Sequence, residues 1–270
     1  MKVIGTGLSG TIGRKLDKDI LPAQLILGSG KLADYFDPNQ SPLTLIHLGG
    51  IVGEAKVSQD LSHSRLINVD ETLNLAKEVI EKFGGRFVHI SSSHVYGPGR
   101  VALSEDSPYN PQSNYAIQKM LAEQLLLDYF GKNHTHLVIL RVFSVLGWDV
   151  ADFTLGGLVK RILSGSNESI SNSDDLRDFM TPTSIAKVRS IIAKDSQLSG
   201  IFNVCTGNGI TVGEAVRSML KVKDFQEMPN QIQPGRSNAP QIIGDNTKLV
   251  KTGLNLDLAW DPVNDLAKNQ

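Results

Sequence analysis

The chain has 270 residues, which is enough for one large α/β domain or for a domain with a smaller lobe attached. Its formal net charge of −1 excludes the broad basic face with which proteins bind nucleic acid or anionic membranes. Cys205 is the single cysteine, and no apolar run reaches the ~18 residues of a membrane span. The apolar start is too short for a signal peptide, so we expect a cytoplasmic protein without nucleic-acid or membrane partners.

Short apolar runs alternate with helical patterns in the first half of the chain. The runs predict buried strands at Met1–Ile4, Gln24–Leu27, Thr44–Leu48, Arg86–Ser91 and Leu137–Arg141. The segments between them predict helices at Thr11–Lys18, Leu66–Phe83 and Tyr115–Phe130, the second of which should stop at Gly84-Gly85. Alternating strands and helices predict an α/β fold with a doubly wound parallel sheet over residues 1–150.

The pattern loosens in residues 151–270, which we interpret as a smaller lobe. A strand is predicted at Ile201–Val204, and helices are predicted at Thr154–Leu163, Thr183–Ala193 and Val212–Leu220. One helix-strand unit, near residues 183–204, is expected to return to the main sheet.

The segment between Leu27 and Thr44 is short and contains Pro38 and Pro42. A crossover between parallel strands needs about a dozen residues, so one crossover fits here but an additional strand and helix do not. One side of any nucleotide pocket should therefore be trimmed.

A glycine-rich turn follows the first predicted strand, with Gly7, Gly10 and Gly13 spaced by two residues each. Glycines at this spacing let the backbone approach a pyrophosphate, and the free N–H groups of a helix start favour negative charge. The spacing alone is weak, because many such glycines only make turns or allow close packing. Its position between a strand and a helix favours dinucleotide binding.

Tyr115 and Lys119 are four residues apart and therefore share one face of a helix. A tyrosine with its usual pKa of about 10 is a poor acid–base group at neutral pH. A neighbouring cation favours the phenolate and lowers that pKa. The alternative is the ordinary surface of an amphipathic helix with a solvated lysine.

The polar run Ser91–Gly97 stands where the fourth strand should end. Ligands of open α/β sheets bind beyond the carboxyl ends of the strands, and a serine hydroxyl there can donate to a substrate carbonyl oxygen. The alternative is a polar loop that only caps the strand.

These motifs occur in order with others along almost the whole chain. The series consists of Thr6–Gly13, His47–Gly50, Asn68–Leu75, Ser91–Gly97, Tyr115–Lys119, Leu140–Gly147, Arg177–Met180 and Phe202–Gly207. In this order they resemble the nucleoside-diphosphate-sugar epimerase/dehydratase family of extended short-chain dehydrogenases/reductases. The resemblance implies an NAD(P)-dependent enzyme with a Rossmann-type domain and a small C-terminal substrate-binding lobe.

The resemblance also implies roles for individual residues. Ser92, Tyr115 and Lys119 correspond to the catalytic triad, and Lys119 would also bind the nicotinamide ribose. The expected cofactor-binding residues are Gly7, Gly10, Thr11, Ile12, Gly13, Leu48, Gly49 and Lys119. By the same resemblance, the two long helices would pair with their copies in a homodimer.

The second strand lacks the acidic residue that binds the adenosine ribose in family members that prefer NAD. Ser29 and Lys31 stand there instead and suit a 2′-phosphate, which favours NADP over NAD. The alternative is that Lys31 is simply solvated.

Several residues are candidates for the substrate side. Ser93 and His94 follow the proposed catalytic serine in the slot that faces the sugar in this family. His94 is a candidate proton-transfer group near neutral pH, a binding contact or a packed loop residue. Arg177 and Arg236 are the candidates to pair with a nucleotide diphosphate, since guanidinium groups suit phosphate oxygens.

We favour a reductase that uses NADPH to reduce a 4-keto-deoxysugar nucleotide. An epimerase or dehydratase that retains NAD is the first alternative. A non-catalytic NADP-sensing protein on the same fold is the second, and the presence of Ser92, Tyr115 and Lys119 together argues against it.

Overall fold

The computed structural model describes residues 2–16, 21–22, 31–39, 42–99, 102–131, 136–170, 172–188, 198–225, 229–233 and 239–253. The chain divides into two compact units. The first consists of Met1–Gly97, Pro108–Arg141 and Arg189–Phe202, and the second of Pro98–Ser107, Val142–Val188 and Asn203–Gln270. Among the residues described, no helix has both the length and the apolar composition needed to cross a bilayer.

The described strands, in chain order, are β1 (Lys2–Thr6), β2 (Leu21–Pro22), β3 (Leu43–His47), β4 (Arg86–Ser92), β5 (Leu137–Val142), β6 (Ser144–Val145), β7 (Leu176–Met180), β8 (Gly200–Val204), β9 (Gly209–Thr211) and β10 (Gln241–Ile242). The described α-helices are α1 (Glu54–Gln59), α2 (Leu61–Arg65), α3 (Glu71–Phe83), α4 (Asn114–Phe130), α5 (Leu155–Leu163), α6 (Pro182–Ala186), α7 (Val212–Val222) and α8 (Thr247–Val250).

Among the described residues, the main sheet has six strands in the order β2-β1-β3-β4-β5-β8. Strand β1 pairs in parallel with both β2 and β3, and β3 pairs in parallel with β4. Every residue of β3 and β5 is buried, as expected for strands covered on both faces. The predicted Rossmann-type α/β fold is confirmed. The strand order reverses between β1 and β3, and such a switch point is where open parallel sheets bind ligands.

The core of the first unit forms where α3 and α4 pack on this sheet. Fully buried side chains from strands and helices meet there, among them Ile4, Leu45, Val79, Phe87 and Leu126. Apolar residues recur three and four positions apart along α3, so one face of this helix enters the core.

The predicted helix over Leu66–Phe83 is interrupted at its start. The structure has a π-helical turn at Leu66–Asp70, after which α3 continues to Phe83 and ends at Gly84. The short helices α1 and α2 precede this turn and were not predicted. A π-helical turn within an α-helix often occurs at a functional site.

The segment after the glycine-rich turn also differs from the prediction. A 3₁₀ turn at Gly13–Lys15 stands where a helix over Thr11–Lys18 was expected. The predicted strand Gln24–Leu27 lies outside the described residues. Residues 31–39 contain only a 3₁₀ turn at Leu32–Asp34, and the Glu78 carboxylate of α3 accepts hydrogen bonds from the backbone N–H groups of Leu32 and Ala33 at 2.9 and 3.3 Å.

The second unit contains a sheet in the order β10-β7-β6, with β9 antiparallel to β7. Asp178 of β7 is fully buried and accepts hydrogen bonds from Thr206, Gly207 and Gly244, which ties three segments together. Burial raises the pKa of Asp178 to about 6, although these hydrogen bonds oppose the rise. Helix α6 begins where the helix over Thr183–Ala193 was predicted, and residues 189–193 of that range are not described.

Two buried histidines stack in the middle of the main sheet. His47 of β3 and His89 of β4 are register partners, and their ring centroids are 6.0 Å apart. Burial and the charge of Lys119 lower the pKa of His47 to about 3 and the pKa of His89 well below its usual value. Neither ring nitrogen of His89 has a hydrogen-bond partner among the described residues. Both rings are therefore neutral in the folded protein.

These two histidines should make the protein less stable at acidic pH. A pKa that folding lowers means that the unfolded chain binds more protons below about pH 6.5, so the free energy of unfolding falls as pH falls. We expect the substitution His89→Phe to remove up to about 1.4 kcal/mol per pH unit of this dependence between about pH 5 and 6.5. Denaturant unfolding at a series of pH values measures it.

The difference between variant and wild type cancels the opposite contribution of Asp178, whose pKa folding raises. His63→Phe is the matched control, because it makes the same substitution at an exposed position on α2. An unchanged slope in His89→Phe would show that folding does not lower the pKa of His89.

Candidate active site

The glycine-rich turn after β1 forms a tight loop. The N–H of Gly10 donates to the carbonyl of Gly7 at 3.0 Å, and the N–H of Arg14 donates to the carbonyl of Gly10 at the same distance. Gly7 has a φ of +68°, and a Cβ there would lie 2.7 Å from the backbone of Leu48 and Gly49. Glycine is therefore required at position 7 both for the backbone conformation and for the close approach of the second loop.

The loop after β3 packs directly against this turn. The N–H of Leu48 donates to the carbonyl of Thr6 at 3.3 Å, and the N–H of Gly49 donates to the Thr6 hydroxyl at 3.2 Å. The structure thus brings together the two loops that contain the predicted cofactor-binding residues. Thr11 and Ile12 are partly exposed, and Gly7, Ser9 and Gly10 are exposed.

The His47 ring holds the Thr6 hydroxyl in place by a hydrogen bond. Its Nδ1 lies 2.7 Å from Thr6 Oγ1, and its Nε2 lies 3.1 Å from Thr72 Oγ1. The Thr72 hydroxyl donates to the carbonyl of Asn68, so it accepts from His47 and places the ring proton on Nε2. The Thr6 hydroxyl must then donate to Nδ1, which leaves its lone pairs for the N–H of Gly49. A neutral histidine thereby sets the spacing of the two loops.

These loops fit the diphosphate of a dinucleotide. They lie at the switch point of the sheet, and a Cβ at position 7 would fill the space between them. Such a cradle suits a ligand that the backbone approaches closely. The residues present therefore fit NAD or NADP.

Tyr115 and Ser92 come from two different elements and meet. Ser92 ends β4, Tyr115 lies in the first turn of α4, and a side-chain hydrogen bond joins them. Each residue retains 9 % of its accessible surface. Burial raises the pKa of Tyr115 to about 12, and the hydrogen bond with Ser92 opposes the rise. The phenol is therefore protonated at neutral pH in the protein alone.

Lys119 lies one helical turn after Tyr115, and its ammonium group donates to the carbonyl of Ile90 at 2.8 Å. Burial lowers the pKa of Lys119 to about 8, and the charge of Glu123 opposes the fall. Lys119 is thus largely charged at neutral pH. The lowering of the Tyr115 pKa by Lys119 stays a prediction.

His94 stands beside the tyrosine. It lies in a 3₁₀ turn, Ser93–Val95, whose first N–H groups are capped by the Ser92 hydroxyl, with the N–H of His94 donating at 3.3 Å. The imidazole is exposed, and it meets the Tyr115 ring edge-on with centroids 6.1 Å apart. Ser93 is 98 % buried, since only 2 % of its surface is accessible. Contacts of these two residues with a substrate stay predictions.

The start of α4 is held by a carboxylate distant in sequence. Glu54, in the first turn of α1, accepts a hydrogen bond from the backbone N–H of Tyr115 at 2.9 Å and from the Asn114 side chain at 3.2 Å. These bonds lower the pKa of Glu54, the largest contribution being the Tyr115 N–H. The Ser113 hydroxyl accepts from the next N–H, that of Ala116. Both caps together satisfy N–H groups that a helix start leaves unpaired.

A second tie joins α4 to the π-helical turn and to the loop after β3. The Asn68 amide donates to Gln118 at 2.8 Å, and it also bonds both the N–H and the carbonyl of Ile51, at 2.8 and 2.9 Å. Gln118 in turn donates to Ser64. The buried polar chain from Ile51 to α4 links the cofactor side of the site to the helix that carries Tyr115.

The remaining predicted residues lie on other elements or outside the described residues. Arg177 lies on β7 of the second unit, where its guanidinium pairs with Asp175 at 2.8 Å. Lys31 is exposed, and its backbone N–H donates to Asp34. Ser29 and Arg236 lie outside the described residues. The described part of the chain contains no cluster of histidine, cysteine or carboxylate side chains that suits a metal ion.

Sequence reasoning missed Glu54 and Glu123, and it quoted His47, Asn68, Gln118 and Arg141 only as parts of motifs. Glu123 carried one usable signal, since it stands four residues after Lys119 on the same helix face. Glu54 carried no such signal, because the backbone N–H that it accepts from, that of Tyr115, is 61 positions away in the sequence.

Fold and site together define a dinucleotide-dependent oxidoreductase with a Rossmann-type domain. The model of the "NAD dependent epimerase/dehydratase family" matches residues 14–205, and the chain belongs to this family. The predicted resemblance is therefore confirmed, and the chain is an NAD(P)-dependent enzyme of the extended short-chain dehydrogenase/reductase type.

Relatives with different activities resemble the chain to similar degrees. It is 23 % identical to GDP-6-deoxy-D-mannose reductase of Pseudomonas aeruginosa over 95 % of this chain and 90 % of that protein. RMD from P. aeruginosa complexed with NADPH has the same fold, with a TM-score of 0.76, 20 % identity and full coverage of both chains. UDP-glucuronic acid 4-epimerase from Bacillus cereus, in complex with UDP-glucuronic acid and NAD, gives a TM-score of 0.80, 19 % identity and coverage of 100 % and 98 %.

Removing the Glu54 carboxylate should loosen the start of α4. We expect Glu54→Ala to lower the free energy of unfolding by about 0.5–1 kcal/mol. This is the lower part of the range for the loss of a helix cap, because the Glu54 side chain is exposed. Turnover should fall several-fold, because the lost bond is to the backbone of Tyr115 itself. Thermal unfolding and steady-state kinetics measure the two effects.

Glu71→Ala serves as the control, because it removes a carboxylate from the first turn of α3 rather than of α4. Wild-type turnover in Glu54→Ala would show that the Ser113 cap alone is enough to hold Tyr115.

Proposed function

We propose that this enzyme uses NADPH to reduce the keto group of a 4-keto-deoxysugar nucleotide. The observation that carries the proposal is the buried Tyr115 hydroxyl, bonded to Ser92 and lying one helical turn from Lys119. The similarity to GDP-6-deoxy-D-mannose reductase over nearly the whole length of both chains supports the same reaction class.

The residues of the site have complementary tasks in this reaction. Ser92 and Tyr115 hold the carbonyl oxygen of the sugar, and Tyr115 donates a proton to it as negative charge develops. Lys119 binds the nicotinamide ribose and places a positive charge near the phenol. The loops around Gly7 and Gly49 hold the cofactor diphosphate. When bound, the nicotinamide supplies the hydride.

Tyr115 carries its proton at neutral pH in the protein alone, as a reduction requires. Burial raises its pKa to about 12, so a neighbouring cation must lower that pKa for efficient donation. An alcohol oxidation needs the phenolate as base, and burial disfavours that form. The charge state of the isolated site is therefore the one that a reductase requires.

The choice of NADP over NAD rests on the sequence. Ser29 and Lys31 stand where an acidic residue binds the adenosine ribose in NAD-preferring members, and Arg14 and Lys15 follow the glycine loop. Positive groups near this position suit a 2′-phosphate. RMD, of the same fold, is complexed with NADPH, whereas the UDP-glucuronic acid 4-epimerase is complexed with NAD.

His94 supports a second candidate function, epimerisation. It is exposed, it lies edge-on to Tyr115, and it follows Ser92 by two residues. An imidazole at this place is suited to exchange a proton at a carbon next to the keto group. Such an enzyme returns the hydride within one turnover and retains NAD tightly. Arg177 and Arg236 are proposed to contact the substrate diphosphate in either case.

The purified protein should bind NADPH more tightly than NADH and should oxidise it in the presence of a 4-keto-6-deoxyhexose nucleotide. Tyr115→Phe should keep the NADPH affinity within about twofold and lower kcat by about 100-fold or more, because it removes the proton donor. Fluorescence titration and absorbance of NADPH at its characteristic wavelength give both quantities.

Tyr129→Phe, the same substitution at the other end of α4, should leave kcat unchanged. NAD⁺ released from the purified protein by denaturation would favour the epimerase and direct attention to His94. Near-normal turnover in Tyr115→Phe would refute the mechanism, and binding of neither nucleotide would refute the reductase.

We further propose that the enzyme is a cytoplasmic homodimer. Exposed apolar side chains lie on α2, the π-helical turn and α4, which pack side by side, namely Leu61, Leu66 and Ile117 with 49, 45 and 40 % of their surface accessible. The inner side of α4 is buried against its own unit, and Ile117 stands on its outer side. A second copy of the same surface would cover the outer face.

A charge in this apolar surface should separate the subunits. Ile117→Glu should elute as a monomer at protein concentrations at which the wild type is a dimer, because the interface would bury an unpaired carboxylate. Light scattering coupled to size exclusion measures the mass. Val250→Glu, at an equally exposed site in the second unit, should remain dimeric, and a monomeric wild type would refute the dimer.

A further inference from the structure

A buried ionic cluster lies behind the proposed catalytic residues and has no role in the reaction as described so far. At its centre, Arg141 of β5 and Glu123 of α4 form an ion pair at 2.7 Å, and their side chains are 2 and 0 % exposed. Two further contacts, from Arg141 Nε to both carboxylate oxygens, measure 3.2 and 3.0 Å. Arg141 is therefore locked against α4 by several hydrogen bonds in a fixed plane.

The cluster reaches the two segments that present the catalytic residues. The Ser91 hydroxyl donates to Glu123, so the residue just before Ser92 is tied to α4. The Tyr109 hydroxyl bridges the ion pair, accepting from Arg141 and donating to Glu123 at 2.8 Å each. The Tyr96 hydroxyl accepts from Arg141 at 2.8 Å. The ends of β4 and β5, the turn after β4 and the segment before α4 thus converge on one ion pair, that of Arg141 and Glu123.

Glu123 is also aligned with the reacting residues. Tyr115, Lys119 and Glu123 follow one another at intervals of four residues, so they form a single row along the buried face of α4. A carboxylate desolvated to this extent is costly unless it is paired and hydrogen-bonded. An apolar residue would fill the same place at lower cost, which favours a role beyond stability.

We propose that Glu123, clamped by Arg141 and Ser91, is a positioning residue of the reaction: it fixes α4 against the end of β4 so that Tyr115 meets Ser92, and it holds Lys119 in its charged form. This inference rests on the proposed function of Tyr115, Ser92 and Lys119. Glu123 itself touches neither substrate nor cofactor in this scheme.

The electrostatic surroundings of Lys119 support the second half of the proposal. Among the described residues, the groups whose electrostatic interaction with Lys119 is resolved are Glu123 on α4, His47 on β3 and His89 on β4, and Tyr115 precedes it by one helical turn. Arg141 is bound to Glu123 and partly offsets its charge. Both histidines are neutral, and the phenol is protonated. Glu123 is then the negative group that opposes the lowering of the Lys119 pKa by burial.

The first test is the substitution Glu123→Gln. The alkaline limb of kcat should move from near pH 8 to a value lower by about 1 pH unit, because an opposite charge close to an ammonium group raises its pKa by that amount or more. A residue with a purely structural task would lower the melting temperature and the active fraction but leave the limb in place. A folded Glu123→Gln variant with wild-type kcat and a wild-type limb would overturn the proposal.

Glu123→Gln leaves the Arg141 charge without its counter-ion, and such a variant sometimes does not fold. Tyr109→Phe is the second variant, because it removes the bridging hydroxyl without changing a charge. It should lower kcat several-fold and leave the alkaline limb in place. Tyr129→Phe is the matched control: it also removes a tyrosine–carboxylate bond of α4, to Glu81 at 2.7 Å, and should change neither quantity. Wild-type kcat in Tyr109→Phe would contradict the clamp.

A third readout separates this inference from the proposed function. Amide hydrogen exchange at the end of β4 and the start of α4 should be faster in Tyr109→Phe than in Tyr129→Phe, whatever the enzyme's substrate. If the wild type binds no nicotinamide cofactor, the proposed function fails, and the exchange rates still decide the clamp. If the wild type turns over and the exchange rates of both variants match it, the clamp fails alone.

Discussion

The position of Tyr115 depends on how helix α4 is held, and buried hydrogen bonds hold it at three levels. Glu54 binds the backbone of its first turn, Gln118 bonds Asn68 at the next level, and Glu123 pairs with Arg141 one turn further on. A helix packed only by apolar side chains can slide or rotate by fractions of an ångström at little cost. Directional bonds at three levels remove that freedom, which matters because proton transfer requires a hydrogen-bond distance.

The sequence predicts the parts of this arrangement that depend on local pattern. The strands that lead to the glycine loop and to Ser92, and the extent of α4, follow from apolar periodicity and from helix stop signals. The neighbourhood of Tyr115 and Lys119 follows from their spacing. The polar face of α4 misleads such reasoning, because Gln118 and Glu123 read as solvated residues of an amphipathic helix. Both are buried, and the hydrogen bonds and ion pair with their tertiary partners offset the cost of removing these polar groups from water.

The failures have physical causes of the same kind. Asn68 lies in the π-helical turn at Leu66–Asp70, where its side chain bonds the backbone of Ile51. The helix propensities of these residues do not predict a π-helical turn. The short helices α1 and α2 are polar, and they are too short for a helical repeat of apolar residues to be recognised in the sequence. His47 and His89 show the limit most clearly: their burial is set by their register in β3 and β4, and their neutral state by that burial.

The charge states of the site constrain the reaction further. Lys119 is charged below about pH 8, and Tyr115 keeps its proton up to about pH 12, so the protein alone offers a charged ammonium group and a protonated phenol at neutral pH. A proton donor beside a fixed positive charge stabilises an oxygen that is becoming an alkoxide. The reverse reaction needs the phenolate, and the oxidised cofactor would bring an additional positive charge that favours it. In the proposed reaction, the direction is then set less by Ser92, Tyr115 and Lys119, which would serve both directions, than by which form of the cofactor is bound.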